Sequence, residues 1–451
     1  MIKRATINET IILLTYLYDY NFEGYNRRFI KLVDNWLGEA YFSFDLYLYK
    51  PLQETFSKAI VYDYLKRIIQ IGIKAVNEEI INLVRKERPK YVLWASWRYD
   101  VLESTLDAIR REGSIVVGWF FDDEWRFDNY SKWWIPHLDY CVTNSIEAVP
   151  KYRELGARVI HTIPNTGIAI DRDWSNIEEK YDVSFVGTKI VDRELYINEV
   201  KNRNIPIHLF GMGWGTEYIP FEEMIDIFKT SKINLNFSKD LSKTTTQIKG
   251  RVFQVCMAGG FMLTEYTPGI EDYFEVGKEV VCFENSEEMI DKITYYLNHD
   301  KERRAIAQAG WRRAISEYTS SRMIAKVFHE IENDFAAKGR EANPHLQELQ
   351  MPTWIHKRHS NYYFQLGRIL LEENYKDIWR EALTLSISHN SFNLRAWYYY
   401  ITSFFPSPMR LASFRIYRAM EELQVRLLAL RHRLVSIPCV RKILQRVING
   451  L

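Results

Sequence analysis

Short apolar runs, separated by segments whose apolar residues fall three and four apart, fill the first third of the chain. The runs TIILLTYLY (10–18), DLYLY (45–49), YVLWAS (91–96), IVVGWFF (115–121), LDYCVT (138–143) and RVIHTIP (158–164) read as strands. The longest helical segment between them spans about Ser57 to Arg88. Continuous apolar strands alternating with helices predict a parallel sheet covered on both faces. Pro164 and the polar run through Lys180 read as a linker. The pattern then restarts with DVSFVGT (182–188), IHLFG (207–211), KINLNF (232–237), GFMLTE (260–265) and EVVCFE (279–284). Asn285 and Glu288 form a capping arrangement that opens the helix containing MIDKITYYL, and a helix near Ser320–Asp334 closes this half. The fold class is therefore α/β, with two Rossmann-like domains, residues 1–165 and 181–335, facing one cleft.

Beyond residue 345 the sequence is helical. NYYFQLGRILLEEN and KDIWREALTLSISHN predict one helical hairpin within a region spanning 350–408. Residues 409–451 form a basic amphipathic tail. In it Ile416, Met420, Leu423, Leu427, Leu430, Leu434 and Ile437 make one apolar seam, flanked by Arg415, Arg426, Arg431 and Arg433 and ended by Pro438. Three partners fit such a seam: a second copy in a coiled-coil homodimer, an anionic membrane surface, or the hairpin itself.

Hydrophobic residues make up 47% of 451 positions and charged residues 26%, the balance of a globular chain long enough for two domains. The formal net charge of +2 calls for no nucleic-acid partner. That charge is unevenly placed, because residues 410–451 hold nine Arg and Lys against two Glu and leave the body slightly acidic. A basic tail of this kind points to an anionic surface. The four cysteines include no CxxC pair and no HExxH occurs, so neither a disulfide framework nor structural zinc is expected. No run reaches the roughly 18–20 apolar residues of a membrane span. The expected location is the cytoplasm, with peripheral attachment to the inner face of the plasma membrane through the tail.

Two βα domains admit dinucleotide enzymes, nucleotide-sugar enzymes and small-ligand binding proteins. FGMGWG (210–215) tests the first class. Gly211, Gly213 and Gly215 follow a strand, but the dinucleotide fingerprint needs glycine where Thr216 stands, and Pro220 delays the helix. A glycine-rich loop lining the cleft fits better. In KGRVFQVCMAGG (249–260), Arg251 to Ala258 predicts a short helix entered through Lys249 and Gly250 and stopped by Gly259 and Gly260. The N–H groups of a helix start carry partial positive charge, and Lys249 and Arg251 add two formal charges. Arginine grips phosphate oxygens through two parallel hydrogen bonds, so the site suits a diphosphate. Two solvated cations at a helix start would look the same locally.

VSFVGT (183–188), INLNF (233–237), GRVFQVCMAGGFMLTEYTPGIEDYFEVGKEVVCFEN (250–285) and YYLNHDKERRAIAQAGWRRA (295–314) resemble the C-terminal half of GT-B glycosyltransferases, most closely the CgeB-like, spore-maturation branch. The resemblance is specific over about 181–335, moderate over 1–165 and absent beyond about 345. It implies a nucleoside-diphosphate sugar held by the second domain, with basic side chains rather than a metal neutralising the leaving diphosphate, and no cofactor. Carried over by position, it implies a first phosphate loop at Gly187 and Thr188, with Arg193 as a further phosphate ligand; the glycine-rich loop at Gly211, read above from its own residues, would line the same donor site. Gln254 falls where the family usually has a ribose-binding glutamate, and Thr246 where its retaining pattern has a companion glutamate. Retaining chemistry is therefore not implied. TEYTPG (264–269) would wrap the sugar diphosphate, with Gly259, Thr264 and Glu265 on the donor side.

In the first domain, WFFDDEWRF (119–127) puts Asp122 and Asp123 at the C-terminal end of a buried strand, the edge where open α/β sheets bind ligands. A carboxylate there suits a base for the acceptor hydroxyl, a group orienting the donor, or a helix cap. No third metal ligand is evident beside them, so a metal is not expected. YDYNFEGYN (18–26) reads as an acceptor loop. The sequence thus predicts a metal-independent glycosyltransferase acting on a glycan or lipid-linked acceptor in polysaccharide or other glycoconjugate synthesis. A nucleotide-sugar epimerase and a non-catalytic glycan- or nucleotide-binding protein are the alternatives.

Overall fold

The computed structural model describes residues 7–16, 45–95, 98–163, 166–215, 219–239, 246–340, 349, 351–372, 378–402 and 404. The chain divides into two compact units, Met1–Met351 and Pro352–Leu451. Residues 18–26 and 409–451, read above as an acceptor loop and a basic tail, lie outside the described residues.

Two parallel sheets organise the first unit. One comprises β1 (Ile7–Thr15), β2 (Phe56–Asp63), β3 (Tyr91–Ala95), β4 (Ile115–Phe120), β5 (Tyr140–Thr143) and β6 (Val159–His161), in the order β2-β1-β3-β4-β5-β6. The other comprises β7 (Tyr181–Val186), β8 (Ile207–Phe210), β9 (Ser231–Asn236), β10 (Met262–Glu265) and β11 (Val281–Phe283), in the order β11-β10-β9-β7-β8. Every named ladder is parallel. Renumbered from its first strand, the second sheet reads 5-4-3-1-2, the first five strands of the first sheet in mirror listing. Both are doubly wound, and each has a switch point beside its first strand. Completely buried strands such as Tyr91–Ala95 and Ile115–Phe120 account for the unbroken apolar runs in the sequence.

Three elements depart from the sequence reading. Asp45–Tyr49, expected as a strand, is a π-helical turn running into α1 (Lys50–Thr55). Its alternation looked like a strand, but burial falls on Tyr47 and Leu48, then Pro51 and Leu52, then Thr55, which is a helical repeat. Pro51 lacks an N–H and is tolerated in the first turn of a helix. The segment expected as one helix from Ser57 instead starts with the edge strand β2. Asp63 then caps α2 (Tyr64–Ile71) by accepting from Lys66 N at 3.1 Å, and Gly72, at φ 88°, separates it from α3 (Ile73–Glu87). Ile60, Val61, Leu65, Ile68 and Ile69 happen to keep helical spacing across that strand–helix junction.

The third departure concerns the end of the second half. Between β7 and β11 lie α4 (Val191–Asn202), α5 (Phe221–Thr230) and α6 (Gly250–Met257), followed after β11 by α7 (Ser286–Asn298) and α8 (Asp300–Glu317). Asn285 caps α7 by accepting from Glu288 N at 3.0 Å, as the motif predicts. The final helix, α9 (Ser320–Lys338), does not finish the second domain but crosses to the first. Phe328 packs edge-on against Phe56 (4.9 Å) and Tyr91 (5.1 Å). Lys90 pairs with Glu332 at 2.7 Å, and Tyr140 donates to Asp334 at 2.8 Å. Burial of that aromatic cluster ties the two sheets into one unit.

The second unit contains α10 (Thr353–Glu372), α11 (Ile378–His389) and α12 (Leu394–Thr402). Gly367 lets α10 approach α11, since a Cβ there would lie 3.1 Å from Leu383 and from the Trp379 carbonyl. Ser386 Oγ donates to the Ser360 carbonyl at 2.7 Å, and Asn393 Nδ2 donates to Ser360 Oγ at 2.9 Å. The third helix extends the expected hairpin.

Candidate functional site

The carboxyl edge of the second sheet is closed by backbone contact between two loops. Gly187 follows β7 and donates its N–H to Phe210 O at 2.8 Å. Gly211 follows β8 with φ 111°, and a Cβ on it would sit 2.8 Å from the Gly187 carbonyl oxygen. Only glycine satisfies both the angle and the space. A Cβ on Gly187 would in turn meet Phe185 at 2.8 Å and the guanidinium of Arg251 at 3.0 Å. The absent side chain is what admits Arg251 to this edge.

Arg251 lies in the first turn of α6, whose N-cap, Lys249, makes no side-chain cap. Its Nη1 donates to Asn236 Oδ1 at 3.0 Å, and its guanidinium lies 5.6 Å from the Phe185 ring centre. Arg193, from the first turn of α4, lies 5.7 Å from the same ring and donates to the Thr188 carbonyl at 2.9 Å. The Arg193 Nε is buried without a hydrogen-bond partner. Burial pushes both guanidinium groups down, and their mutual repulsion lowers Arg251 further. Burial also pushes the half-buried Lys249 ammonium down to about 8, with Asp122 and Glu124 opposing the shift and Arg193 and Arg251 reinforcing it. Three cations converge on one glycine-lined edge.

Asn236 connects this edge to the next strand. Its Nδ2 donates to Thr264 Oγ1 at 2.9 Å, and the Glu265 carboxylate accepts from Ser238 N at 2.8 Å. Thr264 and Glu265 are thereby buried behind the cations, with Glu265 acting electrostatically on Arg193.

The first sheet presents its own carboxyl edge to this cluster. Asp122, after β4, adopts the left-handed conformation at φ 56° and donates its N–H to Asn144 Oδ1 at 3.0 Å. Asn144 Nδ2 reaches Gln247 Oε1 at 3.4 Å in the second domain. Asp123 points the other way. It is fully buried and accepts from Thr143 Oγ1 (2.6 Å), Tyr152 OH (2.9 Å) and Ser131 Oγ. Burial raises its carboxyl to about 6, against those three hydroxyls. Glu124 has a buried Oε2 without a hydrogen-bond partner. Burial, then the charges of Asp122 and Asp123, raises it to about 7.

The expected site residues thus separate. Gly187, Arg193, Gly211, Lys249, Arg251, Thr264 and Glu265 gather at the second edge, with Asp122 opposite. Thr188 is exposed and contributes its carbonyl to Arg193. Gly259 is at the far end of α6, where a Cβ would strike Arg172 at 3.0 Å; its φ of 74° serves the helix stop instead. Gln254 donates to Tyr47 OH at 3.1 Å. Thr246 forms a single antiparallel bridge with Lys239. Sequence reasoning missed Glu124, although it sits inside the quoted WFFDDEWRF. It also missed Tyr47, hidden in the segment misread as a strand, and Asn236 at the end of β9.

Among the described residues, no group of three or more His, Cys, Asp or Glu side chains could hold a metal ion. No helix among them is long and apolar enough to cross a membrane. Cys141, Cys256 and Cys282 are buried free thiols.

Residues 193–329 match the family model described as glycosyl transferase-like, which spans α4 through most of α9. No curated protein matches the chain. Among solved structures, Anabaena Alr3699/HepE in complex with UDP-glucose is similar at 10% identity and TM-score 0.45, covering 72% of this chain and 100% of its own. A glycosyltransferase from Rickettsia africae ESF-5 is similar at 11% identity and TM-score 0.43, covering 74% and 100%. Sucrose-phosphate synthase (tll1590) from Thermosynechococcus elongatus is similar at 10% identity and TM-score 0.42, covering 73% and 100%.

Proposed function

We propose that this protein is a glycosyltransferase that moves a sugar from a nucleoside-diphosphate sugar to an acceptor hydroxyl. The carrying observation is the convergence of Lys249, Arg251 and Arg193 on the Gly187 edge, opposite the carboxylates of Asp122 and Glu124. Three partly desolvated cations at an uncapped helix start form a site for a diphosphate, whose negative charge grows as the glycosidic bond breaks. The family match over 193–329 supports the same reading for the second domain, and the resemblance of its sequence motifs assigns it to the CgeB-like branch.

In this reaction the acceptor oxygen bonds to the anomeric carbon as the bond from that carbon to the diphosphate oxygen breaks. The acceptor proton passes to a carboxylate, and the nucleoside diphosphate leaves with the bond pair. Glu124 is assigned as that carboxylate, because an acid raised to about 7 is poised to accept a proton near neutral pH. Asp122 orients the reacting groups, and Asp123 holds the turn from within the first domain. The cations do the work that a metal ion does elsewhere, so transfer proceeds without one. The acceptor is a glycan or lipid-linked glycan in glycoconjugate synthesis, met at the inner face of the cytoplasmic membrane.

A thermal-shift panel of UDP, GDP, ADP, dTDP and CMP on the wild type and Arg251→Ala tests the assignment. Stabilisation by one nucleotide, lost in the variant, is expected. No stabilisation by any of them at about millimolar concentration would overturn the donor site.

A further inference from the structure

A second group of cations lies at the opposite end of the second sheet. The strands β7, β9 and β10 begin at Tyr181, Ser231 and Met262, and beside those starts is a cleft of about 280 Å³ whose wall includes Ser231 and Phe261. β7 runs six residues, about 20 Å, from this edge to the Gly187 edge, so no single diphosphate reaches both. Five cations line the cleft, and three of them are paired. Lys232 meets Asp182 at 2.6 Å, Arg303 and Arg304 share Glu179 at 2.9 and 3.1 Å, and Arg303 also meets Asp300 at 2.6 Å. The side chains of Arg172 and Lys229 have neither a hydrogen bond nor an ion pair among the described residues. Burial lowers the Arg172 guanidinium, with Glu179 opposing that shift and Arg304 reinforcing it.

Packing holds Arg172 in place. Its guanidinium lies 5.6 Å from the Trp174 ring centre, and Trp174 packs edge-on against Trp311 at 5.7 Å. Trp311 Nε1 donates to Ile170 O at 3.0 Å, which anchors the segment that carries Arg172. The Arg172 side chain then crosses Gly259, where α6 stops. A Cβ on that glycine would lie 3.0 Å from Arg172 Cγ and 3.3 Å from Trp174. Within the wall, Arg172 Nε and Trp174 Nε1 are buried with no acceptor. Folded proteins rarely leave buried donors unmet by protein, water or an ion. A cation already fixed by packing also loses little freedom when it takes up an anion.

Charge and size select the ligand. Two cations without acids call for a ligand with two negative charges, and a guanidinium fork matches phosphate oxygens. The volume lies below the roughly 300–1,000 Å³ of pockets that take whole organic ligands, so it suits a phosphate group and not a nucleotide sugar. We propose that this cleft binds a phosphate dianion, free or as a monoester, on Arg172 and Lys229 with Arg304 at its margin. The site does not depend on the reaction assigned to the carboxyl edge.

Calorimetric titration of the full-length chain with inorganic phosphate, and in parallel with glycerol phosphate, tests the site at an ionic strength held constant with sodium chloride. Wild type should bind. Arg172→Gln and Lys229→Gln should each bind about tenfold more weakly, the loss expected for one charge-assisted contact. Arg251→Ala should keep this binding, because its cation belongs to the other edge. If Arg172→Gln lowers the melting temperature through lost packing, Lys229→Gln decides, since Lys229 has no ion pair to lose. Tighter binding of inorganic phosphate identifies the free ion as the ligand, and tighter binding of glycerol phosphate identifies a monoester; either supports the site. No heat of binding up to about 10 mM ligand would overturn it. So would equal affinity in wild type and Lys229→Gln, or a loss of binding confined to Arg251→Ala.

Discussion

Gln254 Nε2 donates to the hydroxyl of Tyr47 at 3.1 Å, joining the helix that begins at the cation cluster to a segment of the first domain. The position expected to receive ribose hydroxyls therefore holds a protein hydroxyl. Tyr47 is buried there, its ring edge-on to Phe221 at 6.3 Å. Tyr47→Phe removes the competing oxygen while keeping the ring. It should tighten nucleoside-diphosphate binding by roughly 0.5–1.5 kcal/mol, the net worth of one hydrogen bond. Isothermal titration calorimetry reads the change, and weaker binding would make Tyr47 a ligand of the nucleotide instead.

Arg251 contacts both the glycine loop and Asn236, so its removal strips charge from the proposed diphosphate site. Arg251→Ala should slow sugar transfer by about 2–4 kcal/mol in the activation barrier. Single-turnover transfer with the nucleotide sugar identified by thermal shift measures this. Turnover equal to wild type would end the diphosphate assignment.

Lys249 gives the donor site a pH dependence of definite sign. Its ammonium, lowered to about 8, loses its proton as pH rises through that value. Arg251 is itself lowered to about 9 by burial, but guanidinium groups hold their protons far more strongly than an ammonium, so Lys249 is the first of the three to lose charge. Nucleoside-diphosphate affinity should accordingly fall as pH rises through about 8. Lys249→Arg should flatten the profile, as read by titrations between about pH 6.5 and 9.5. A profile that keeps its fall in this variant would place the titrating group elsewhere.

Asp123 and Asp122, adjacent in sequence, should fail in different ways. Asp123→Ala leaves three buried hydroxyls without their acceptor and should cost at least about 3 kcal/mol of stability. The folded-state carboxyl, raised to about 6 by burial, also makes stability fall as pH rises from 3.8 to about 6. Asp123→Asn should remove that slope in denaturant titrations. Asp122→Asn, which keeps a side chain that tolerates the left-handed backbone, should leave the midpoint nearly unchanged and reduce transfer. A large loss of stability from Asp122→Asn would make both acids structural.

Gly211→Ala tests the contact between the two glycine loops. The added carbon sits 2.8 Å from the Gly187 carbonyl at a φ of 111°, so the loop must shift. A cost of roughly 1–3 kcal/mol is expected, together with weaker nucleotide binding. Gly215→Ala also has a positive φ, 100°, but meets nothing within 4 Å. It should show the backbone cost alone, and equal nucleotide affinity in the two variants would remove the loop contact from the site.

The repeating strands were legible because parallel strands buried on both faces leave unbroken apolar runs, as in Tyr91–Ala95 and Ile115–Phe120. The Asn285–Glu288 cap and the entry to Gly250–Met257 were legible because helix starts are set by neighbouring residues. The strand Phe56–Asp63 was not, because its Ile60 and Val61 keep step with the helix that follows. Tyr47 was lost for a related reason, since five alternating residues fit both a strand and a turn of helix until Pro51 and the packed core choose.

By itself, the amino-acid sequence determined the doubly wound elements, the helix that begins between Lys249 and Arg251, and the glycines that let loops close over it. These are properties of periodicity, caps and backbone freedom, which act over a few residues. Tertiary structure alone decided where Ser320–Lys338 packs and which acid beside β4 faces the cleft. Asp123 is turned inward by Ser131, Thr143 and Tyr152, which stand 8, 20 and 29 residues away. Asp122 and Glu124 are left toward Lys249, more than a hundred residues further along the chain. Burial and charge acting across such separations arise only when the two sheets are brought together.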